Sequence, residues 1–395
     1  MANTSGQQEQ ATQFLREAER ALKRRDAAAA LGSLRQAEAL APHDFSVHMF
    51  KSMAYRTTGD LAAAQRACEK ALTIDPYNFF ARLSRGWLLD QQGQKQQAAM
   101  MYEQALAIAP SGPLPPDLVA PVERAREVVE EKNAALEAHL LERIADIRAR
   151  HPEASLERFD ESLKILAGRT KAYVQQPLLL HYPRLPAIPF FPRELFPWLP
   201  DLEAATPLIR GELDALLEQS GTEQFAPYIT YPPGTPLNQW EELNRSRRWG
   251  SFFLWRDGRR QDEACARCPR TTEVLESLPM ARQSGYAPTA MFSVLDANTR
   301  IPPHTGSINT RAIVHLPLLL PGVCTFRVGN VTREWRMNEA WVFDDTIEHE
   351  ARNDNGELRV ILIFDVWNPY LSEPERELVT AMMQARTEFI AALRR

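Results

Sequence analysis

Three side chains in the last quarter of this 395-residue chain have the types and spacing needed to hold a metal ion beside a carboxylate. His349 follows His304 after 45 residues, and Arg359 comes ten residues later in an apolar run. Two imidazoles from different strands can converge on one metal ion inside a β-barrel. An arginine in an apolar strand is costly to bury unless an anion pairs with it, and a dicarboxylate would supply that anion. The alternative is two structural histidines and a salt-bridged arginine.

The spacing of these three residues resembles that of iron(II)- and 2-oxoglutarate-dependent oxygenases. Such sites usually add a carboxylate two residues after the first histidine, but that position is Gly306. Asp344 and Asp345 precede the second histidine and could ligate iron only by an unusual route, or could instead bond to an imidazole N–H. The pattern therefore predicts an iron site with two protein ligands and open positions for other ligands.

The remaining candidate ligands carry weaker signals. Five histidines lie in helical or proline-rich regions without a ligating companion, namely His43, His48, His139, His151 and His181. Cys265 and Cys268 form a lone C-x-x-C pair that lacks two ligands for a structural zinc ion. Two packed thiols are the favoured interpretation, with zinc binding or redox activity as alternatives.

The elements that must position the site are short strands. From about Trp249 the chain shows the runs SFFLW, AMFSVLD, RAIVHLPLLL, CTFRV, TREWR, AWVFDD and RVILIFDVW, separated by turn signals. Many short strands with few helices predict a double-stranded β-helix of the jelly-roll or cupin kind. Ser372 and Glu375 form a capping-box pattern that predicts a final helix.

A different pattern fills the first third of the chain. Pro42, Pro76 and Pro110 are spaced 34 residues apart and follow similar sequences, and Gly59 and Gly93 repeat at the same period. A 34-residue period with a small residue at the turn and proline after the second helix is typical of tetratricopeptide repeats. We therefore expect an all-α solenoid at residues 8–112, whose groove binds a peptide or a protein, with dimerisation or a spacer role as alternatives.

Two further regions connect the solenoid to the strands. Residues 113–171 are charged with a helical period, which predicts a helical cap or linker. Twelve of the 29 prolines lie between Pro177 and Pro236, interleaved with large apolar residues. This composition predicts an extended segment that wraps a neighbouring surface, with a ligand for SH3-type modules as the alternative. We place the oxygenase-like domain at residues 172–395, which gives an α + β multidomain chain.

Composition excludes some classes of protein. The net charge is −5 and 44% of residues are hydrophobic, which fits a globular protein with no basic face for nucleic acid. The chain has no apolar run long enough to cross a membrane, so we expect no integral membrane segment. Four cysteines and a polar start favour a reducing compartment, and we expect a cytoplasmic location.

Several stretches together resemble the aspartyl/asparaginyl β-hydroxylases. These are FFLWRDGRR, FSVL, IPPHTGSIN, RAIVHLPL, FDDTIEHEA and RVILIFDVWNP, all between residues 172 and 370. The resemblance implies an iron(II)- and 2-oxoglutarate-dependent dioxygenase with a two-histidine iron site, so Gly306 is expected. Animal members of the family also carry tetratricopeptide repeats before the oxygenase domain.

The resemblance also implies residue roles. His304 and His349 would ligate iron, and Arg359 would bind the C5 carboxylate of 2-oxoglutarate. Ser293 would add a hydrogen bond to that co-substrate, and His315 would contact its other end near the metal.

One position departs from the family pattern. Animal members carry an arginine two residues before the equivalent of His315, where this chain has Ile313. Arg311 lies on the same face of the strand by period two. This departure bears on the contacts to co-substrate or substrate.

The predicted reaction is hydroxylation of the β-carbon of an aspartyl or asparaginyl residue in a peptide or protein held partly by the repeats. An oxygenase of a lipid or small molecule is the second hypothesis. A non-enzymatic scaffold built on the repeats is the third.

Overall fold

The computed structural model describes residues 2–153, 155–283 and 285–393, with the backbone alone for residues 2–5. The chain forms two compact units that divide between Thr170 and Lys171. Each unit has its own hydrophobic core. Across the described part of the chain, every helix is too short or too polar to cross a membrane.

The first unit begins with helices that pack in consecutive pairs. The pairs are α1 (Ala2–Lys23) with α2 (Ala27–Leu40), α3 (Phe45–Thr58) with α4 (Leu61–Ile74), and α5 (Phe79–Gln91) with α6 (Lys95–Leu106). Polar caps start most of these helices, because Asp26, Asp44, Asp60 and Asn78 each accept a backbone N–H bond from the first turn. The predicted tetratricopeptide repeats are confirmed.

Small residues allow the helices of a pair to approach closely. Ala30, Ala64 and Ala98 recur at the repeat period and are buried completely. A Cβ atom added to Gly86 would lie 2.5 Å from the Tyr102 ring, so this position has no room for a side chain. The repeated small residues are therefore packing requirements of the solenoid.

Two more helices follow the repeats. They are α7 (Pro116–Ala149) and α8 (Glu157–Leu166). The apolar face of α7 packs through Val122, Ala125 and Val128 into the core cluster that contains Tyr102. This helix therefore covers the apolar surface that α6 would otherwise expose.

The proline-rich segment at the start of the second unit is extended and bonded to the β-structure. The N–H of Gln176 donates to Thr346 O at 2.7 Å, that of Leu178 to Gly306 O at 3.0 Å, and that of Phe191 to Val342 O at 2.9 Å. The Phe191 ring is buried. The predicted wrap is confirmed, and its apolar residues serve the core of its own unit.

The described strands form two antiparallel sheets. The larger has the order β1-β2-β4-β11-β6-β9 with β3 paired to β2, and the smaller has the order β5-β10-β7-β8. The strands are β1 (Ala226–Pro227), β2 (Trp249–Arg256), β3 (Arg259–Arg260), β4 (Ala290–Leu295), β5 (Thr299–His304), β6 (Arg311–Leu319), β7 (Cys324–Val328), β8 (Val331–Glu334), β9 (Trp341–Phe343), β10 (His349–Asn353) and β11 (Arg359–Trp367).

The two sheets pack face to face. Leu295, Ile313 and Ile361 of the larger sheet share a core cluster with Phe326 and Ala351 of the smaller one. Inward-facing residues alternate along the strands, as expected for a sandwich. The predicted cupin-like jelly roll after a helical repeat region is confirmed.

Helices cover the outer face of the larger sheet. They are α9 (Leu199–Ala204), α10 (Thr206–Ser220), α11 (Asp262–Arg267) and α12 (Pro269–Ser277), and the final helix α13 (Glu373–Leu393) packs on Ile308. The predicted capping box is present, since Ser372 Oγ donates to Glu375 Oε2 at 2.7 Å. Cys265 and Cys268 are buried free thiols in this layer, and burial raises the pKa of Cys268 to about 12, which favours the packing interpretation.

Candidate active site

The two predicted iron-ligand histidines lie side by side on neighbouring strands of the smaller sheet. His304 ends β5, His349 begins β10, and their Cα atoms are partners in the pairing of these strands. Their ring centroids are 4.0 Å apart. The residues after His349 pair with both β5 and β7.

A β-bulge in strand β5 points the His304 side chain toward the interior of the sandwich. Ile301 pairs with Ala351 and His304 pairs with His349, so three steps along β5 match two along β10. Strict alternation from the buried Ile301 would point residue 304 outward, and the extra residue reverses that. The extra step contains Pro302 and Pro303, which lack the N–H that a regular ladder needs and so suit a bulge on an edge strand.

Backbone carbonyls fix the protonation of both imidazoles. His304 Nδ1 lies 2.8 Å from Pro302 O, and His349 Nδ1 lies 3.0 Å from Ile347 O. A carbonyl oxygen only accepts, so Nδ1 carries the proton, and in a neutral ring Nε2 keeps its lone pair. Burial lowers the pKa of His304 to about 4 and that of His349 well below its usual value, so both rings are neutral at pH 7. Neutral imidazole with an oriented free nitrogen is the form that binds a metal ion.

The carboxylate of Asp345 fills the space beside Gly306, where the side chain of a third iron ligand would begin. A Cβ atom on Gly306 would lie 2.0 Å from Asp345 Oδ2, and Gly306 N donates to Asp345 O at 2.6 Å. Asp345 Oδ1 is buried without a partner among the described residues, and burial raises the pKa of this carboxyl to about 7. No cluster of three or more potential ligands occurs within the described residues.

The carboxylates do not hold the imidazoles. Asp344 accepts bonds from the backbone and hydroxyl of Thr346 and from Gln175 Nε2. The hypothesis that an aspartate bonds to the imidazole N–H is therefore wrong for Nδ1 of both histidines, because main-chain carbonyls take that role. The donor set is two neutral imidazoles, which fits a metal ion that keeps open coordination positions.

Arg359 is a buried cation with no carboxylate beside it among the described residues. It is only 1% exposed, and its Nε and Nη1 have no hydrogen-bond partner among the described residues. Its guanidinium carbon lies 4.8 Å from the centre of the Trp335 ring. Burial lowers the pKa of Arg359 to about 10, which still leaves it charged at neutral pH. An unpaired buried charge is costly, so this arrangement fits a bound anion.

Ser293 and His315 face the same interior. Ser293 lies on β4, is completely buried, and its Oγ accepts a hydrogen bond from Trp249 Nε1 at 3.2 Å, which leaves its own proton available. His315 on β6 packs against Phe326 and has a buried Nδ1 with no described partner. Burial and the nearby arginine charge hold the pKa of His315 well below its usual value, so this ring is neutral.

One cavity of about 300 Å³ brings all five predicted site residues together. Its wall is mainly aromatic and aliphatic, and Trp240 stands 5.0 Å from the His304 ring, centre to centre. Tyr228 and Trp249 stack at 4.2 Å beside it. The cavity is a concave, mostly apolar space with few convergent polar groups, which is typical of a small-molecule site.

Sequence reasoning missed an ion pair in this cavity. Arg311 Nη1 donates to Asp365 Oδ2 at 2.7 Å, and both side chains line the cavity wall. The available signal was an acidic residue inside the apolar run RVILIFDVW, since a buried carboxylate needs a partner.

Comparisons with known proteins match the two parts of the chain to two family models. Residues 203–369 match the family model described as aspartyl/asparaginyl beta-hydroxylase, and residues 45–78 and 81–111 match a tetratricopeptide repeat model. Among solved structures, the Arabidopsis OM64 TPR domain covers 31% of this chain and 98% of its own, with 21% identity and a TM-score of 0.28.

Two curated relatives illustrate the range of similar proteins. The human "Aspartyl/asparaginyl beta-hydroxylase" is 35% identical over 150 residues, which is 38% of this chain and 20% of that protein. The Rhizobium tropici "Ornithine lipid ester-linked acyl 2-hydroxylase" is 32% identical over 210 residues, which is 52% of this chain and 69% of that protein. The match thus spans about a fifth of the human relative and about two thirds of the bacterial one. With its repeat region and its two-histidine cavity, the chain belongs to the aspartyl/asparaginyl β-hydroxylase family.

Proposed function

We propose that this protein is an iron(II)- and 2-oxoglutarate-dependent dioxygenase that hydroxylates a C–H bond. The observation that carries the proposal is one cavity that holds two oriented neutral imidazoles and an unpaired buried arginine. Arg359 Nε and Nη1 have no hydrogen-bond partner among the described residues, and a metal ion on the imidazoles with a dicarboxylate on the arginine would fit these features.

In this proposal, His304 and His349 hold the metal through Nε2. Their Nδ1–H bonds to the main chain keep the rings from rotating and keep the lone pairs directed into the cavity. Iron(II) with 2-oxoglutarate and O2 supplies the oxidising power that inserts one oxygen atom into a C–H bond.

Arg359 binds the far carboxylate of 2-oxoglutarate in this proposal. The planar guanidinium suits a bidentate carboxylate, and its two unpartnered nitrogens would gain hydrogen bonds that the described protein does not provide. Ser293 adds a hydroxyl donor, and His315 offers a neutral imidazole nearer the metal. The apolar wall strengthens these interactions by excluding water.

We propose the β-carbon of an aspartyl or asparaginyl residue in a peptide or protein as the target. The name of the human relative and the tetratricopeptide repeats, a module suited to binding protein segments, support this choice. A lipid or small-molecule substrate is the second candidate, favoured by the name of the Rhizobium tropici relative. The intact set of His304, His349 and Arg359 argues against a scaffold without activity.

Anaerobic titration with iron(II) and then 2-oxoglutarate, followed by calorimetry, tests the proposal. We expect saturable binding of both, and succinate formation once O2 and a substrate peptide are added. His349→Ala should abolish iron binding, whereas His181→Ala, which changes an exposed histidine in the same unit, should not. Full 2-oxoglutarate turnover by His349→Ala would refute the site assignment.

A further inference from the structure

The cavity holds two arginines in opposite states. Among the described residues that line it, the charged side chains other than histidines are Arg311, Arg359, Asp345 and Asp365. Arg311 is paired with Asp365 at 2.7 Å. Arg359 has no carboxylate near it in the described chain, and its Nε and Nη1 are unpartnered. Arg311 Nε is also unpartnered, but Asp365 balances the Arg311 charge, so Arg359 is the one cation of the described lining without a carboxylate beside it.

The Arg311–Asp365 pair is built into the sheet. Asp365 is 2% exposed, and its Oδ2 also accepts the Thr289 N–H at 2.8 Å. Arg311 Nη1 also lies 3.4 Å from Tyr286 O. Asp345 is a second carboxyl group near Arg311. If Arg311 turned away to bind a substrate carboxylate, Asp365 would remain as a buried charge without a partner, which is strongly unfavourable.

The described wall around this pair offers a carboxylate no second cation that lacks a carboxylate partner. Ile313 faces Asp365 across the β6–β11 pairing, and Met291 faces Ile363 across the β4–β11 pairing. All of these residues line the cavity. A negatively charged target group would meet aliphatic side chains and two aspartates there.

We propose that the target group is uncharged, and that the Arg311–Asp365 pair makes this site reject a carboxylate beside the reactive carbon. Within a peptide, the site then selects an asparaginyl residue over an aspartyl residue. This inference rests on the proposed function, because that function assigns Arg359 to 2-oxoglutarate and so removes it as a partner for the substrate.

A matched pair of probes tests the inference on the wild-type protein. N-acetylasparagine methylamide and N-acetylaspartate methylamide differ only in an amide against a carboxylate. Each is titrated by anaerobic calorimetry into protein already saturated with iron(II) and 2-oxoglutarate. We expect the acid to bind at least about tenfold more weakly than the amide at neutral pH. Equal or tighter binding of the acid overturns the inference while leaving the proposed function intact.

Variants decide the matter if both probes bind the wild type weakly. Asp365→Asn keeps the shape of the side chain and releases Arg311, so the affinity for the acid should rise at least about tenfold while that for the amide stays constant. A folded Asp365→Asn protein with no gain in acid binding overturns the inference.

A second pair of variants tests the inference if Asp365→Asn does not fold. Ile313→Arg adds a cation directly across from Asp365, and Ile313→Met is the uncharged control of similar size. Acid binding should rise only in Ile313→Arg, and a rise in both variants or in neither contradicts the role of charge. The initial 2-oxoglutarate titration tests the proposed function separately, and failure of the wild type to bind it would overturn both.

Discussion

Arg359 and Arg311 lie on adjacent strands of the same sheet and line the same cavity, but the protein treats their charges differently. Arg311 has an aspartate at 2.7 Å, whereas Arg359 lies beside the Trp335 ring and has no carboxylate near it in the described part of the chain. A paired buried charge is part of the structure, and an unpaired one costs stability until a ligand arrives. Burial alone therefore does not identify an arginine that binds a ligand, whereas burial without a carboxylate partner does.

Removing the unpaired charge of Arg359 should have the largest effect. Arg359→Met should weaken 2-oxoglutarate binding at least about a hundredfold, close to 3 kcal/mol, because the carboxylate loses its only cation. The free energy of unfolding without ligand should stay the same or increase, since an unpaired buried cation disappears. Calorimetry and urea denaturation measure the two quantities. A less stable variant that still binds 2-oxoglutarate would reverse the assignment.

Removing the paired charge of Arg311 should lower stability instead of preserving it. Arg311→Met should lower the free energy of unfolding by about 3 kcal/mol, because Asp365 is left buried and charged. The double variant Arg311→Met with Asp365→Leu should recover most of that loss. Urea denaturation of the single and double variants measures the coupling. If Arg311→Met is as stable as the wild type, the pair has no structural role.

The space between Gly306 and Asp345 offers a third, smaller test. Gly306→Ala should cost about 1–3 kcal/mol of stability, because the new methyl group forces the Asp345 carboxylate to move. Gly356→Ala is the matched control, since a Cβ atom there meets nothing within 4 Å. In an Asp345→Ala background the cost of Gly306→Ala should largely disappear. Urea denaturation of the wild type, the two glycine variants, Asp345→Ala and the double variant measures this, and a cost that persists without Asp345 would contradict the proposed clash.

The smallest expected effect is a pH dependence of the metal-free protein. The pKa of folded His304 is lowered to about 4, so its contribution to stability is full above its unfolded pKa of 6.5 and is lost as pH falls toward 4. The pKa of folded Asp345 is raised to about 7, so its contribution is full below its unfolded pKa of 3.8 and is lost as pH rises through 7. The two contributions partly cancel in the wild type.

Asp345→Asn should unmask the histidine contribution. Between pH 7 and pH 5 its free energy of unfolding should fall by about 1–2 kcal/mol more than that of the wild type, which retains the opposing contribution of Asp345. Urea denaturation at several pH values gives both curves. Parallel curves for the two proteins would show that Asp345 does not titrate in this range.

Some predictions depended on local patterns and were reliable for that reason. Pro42, Pro76 and Pro110 are spaced 34 residues apart because each helix pair packs on the next in the same way. Each pair therefore needs the same small residues at the same positions. The strand runs of the second unit were also visible, because alternation and turn residues are local signals. The strands β5 and β10 were missed, since two prolines interrupt one and the sequence HEARN of the other is mostly polar.

Residue types and spacings along one chain suffice to predict the repeat region, the β-rich second unit and the choice of His304, His349 and Arg359 as candidates. The bulge that points His304 inward and the neutralisation of Arg311 by Asp365, 54 residues away, are visible only in the folded sandwich. Strand register and bulges set such contacts, and they depend on the packing of the whole sandwich rather than on any local pattern. Whether a buried charge is structural or available to a ligand therefore depends on side chains that are distant in the sequence.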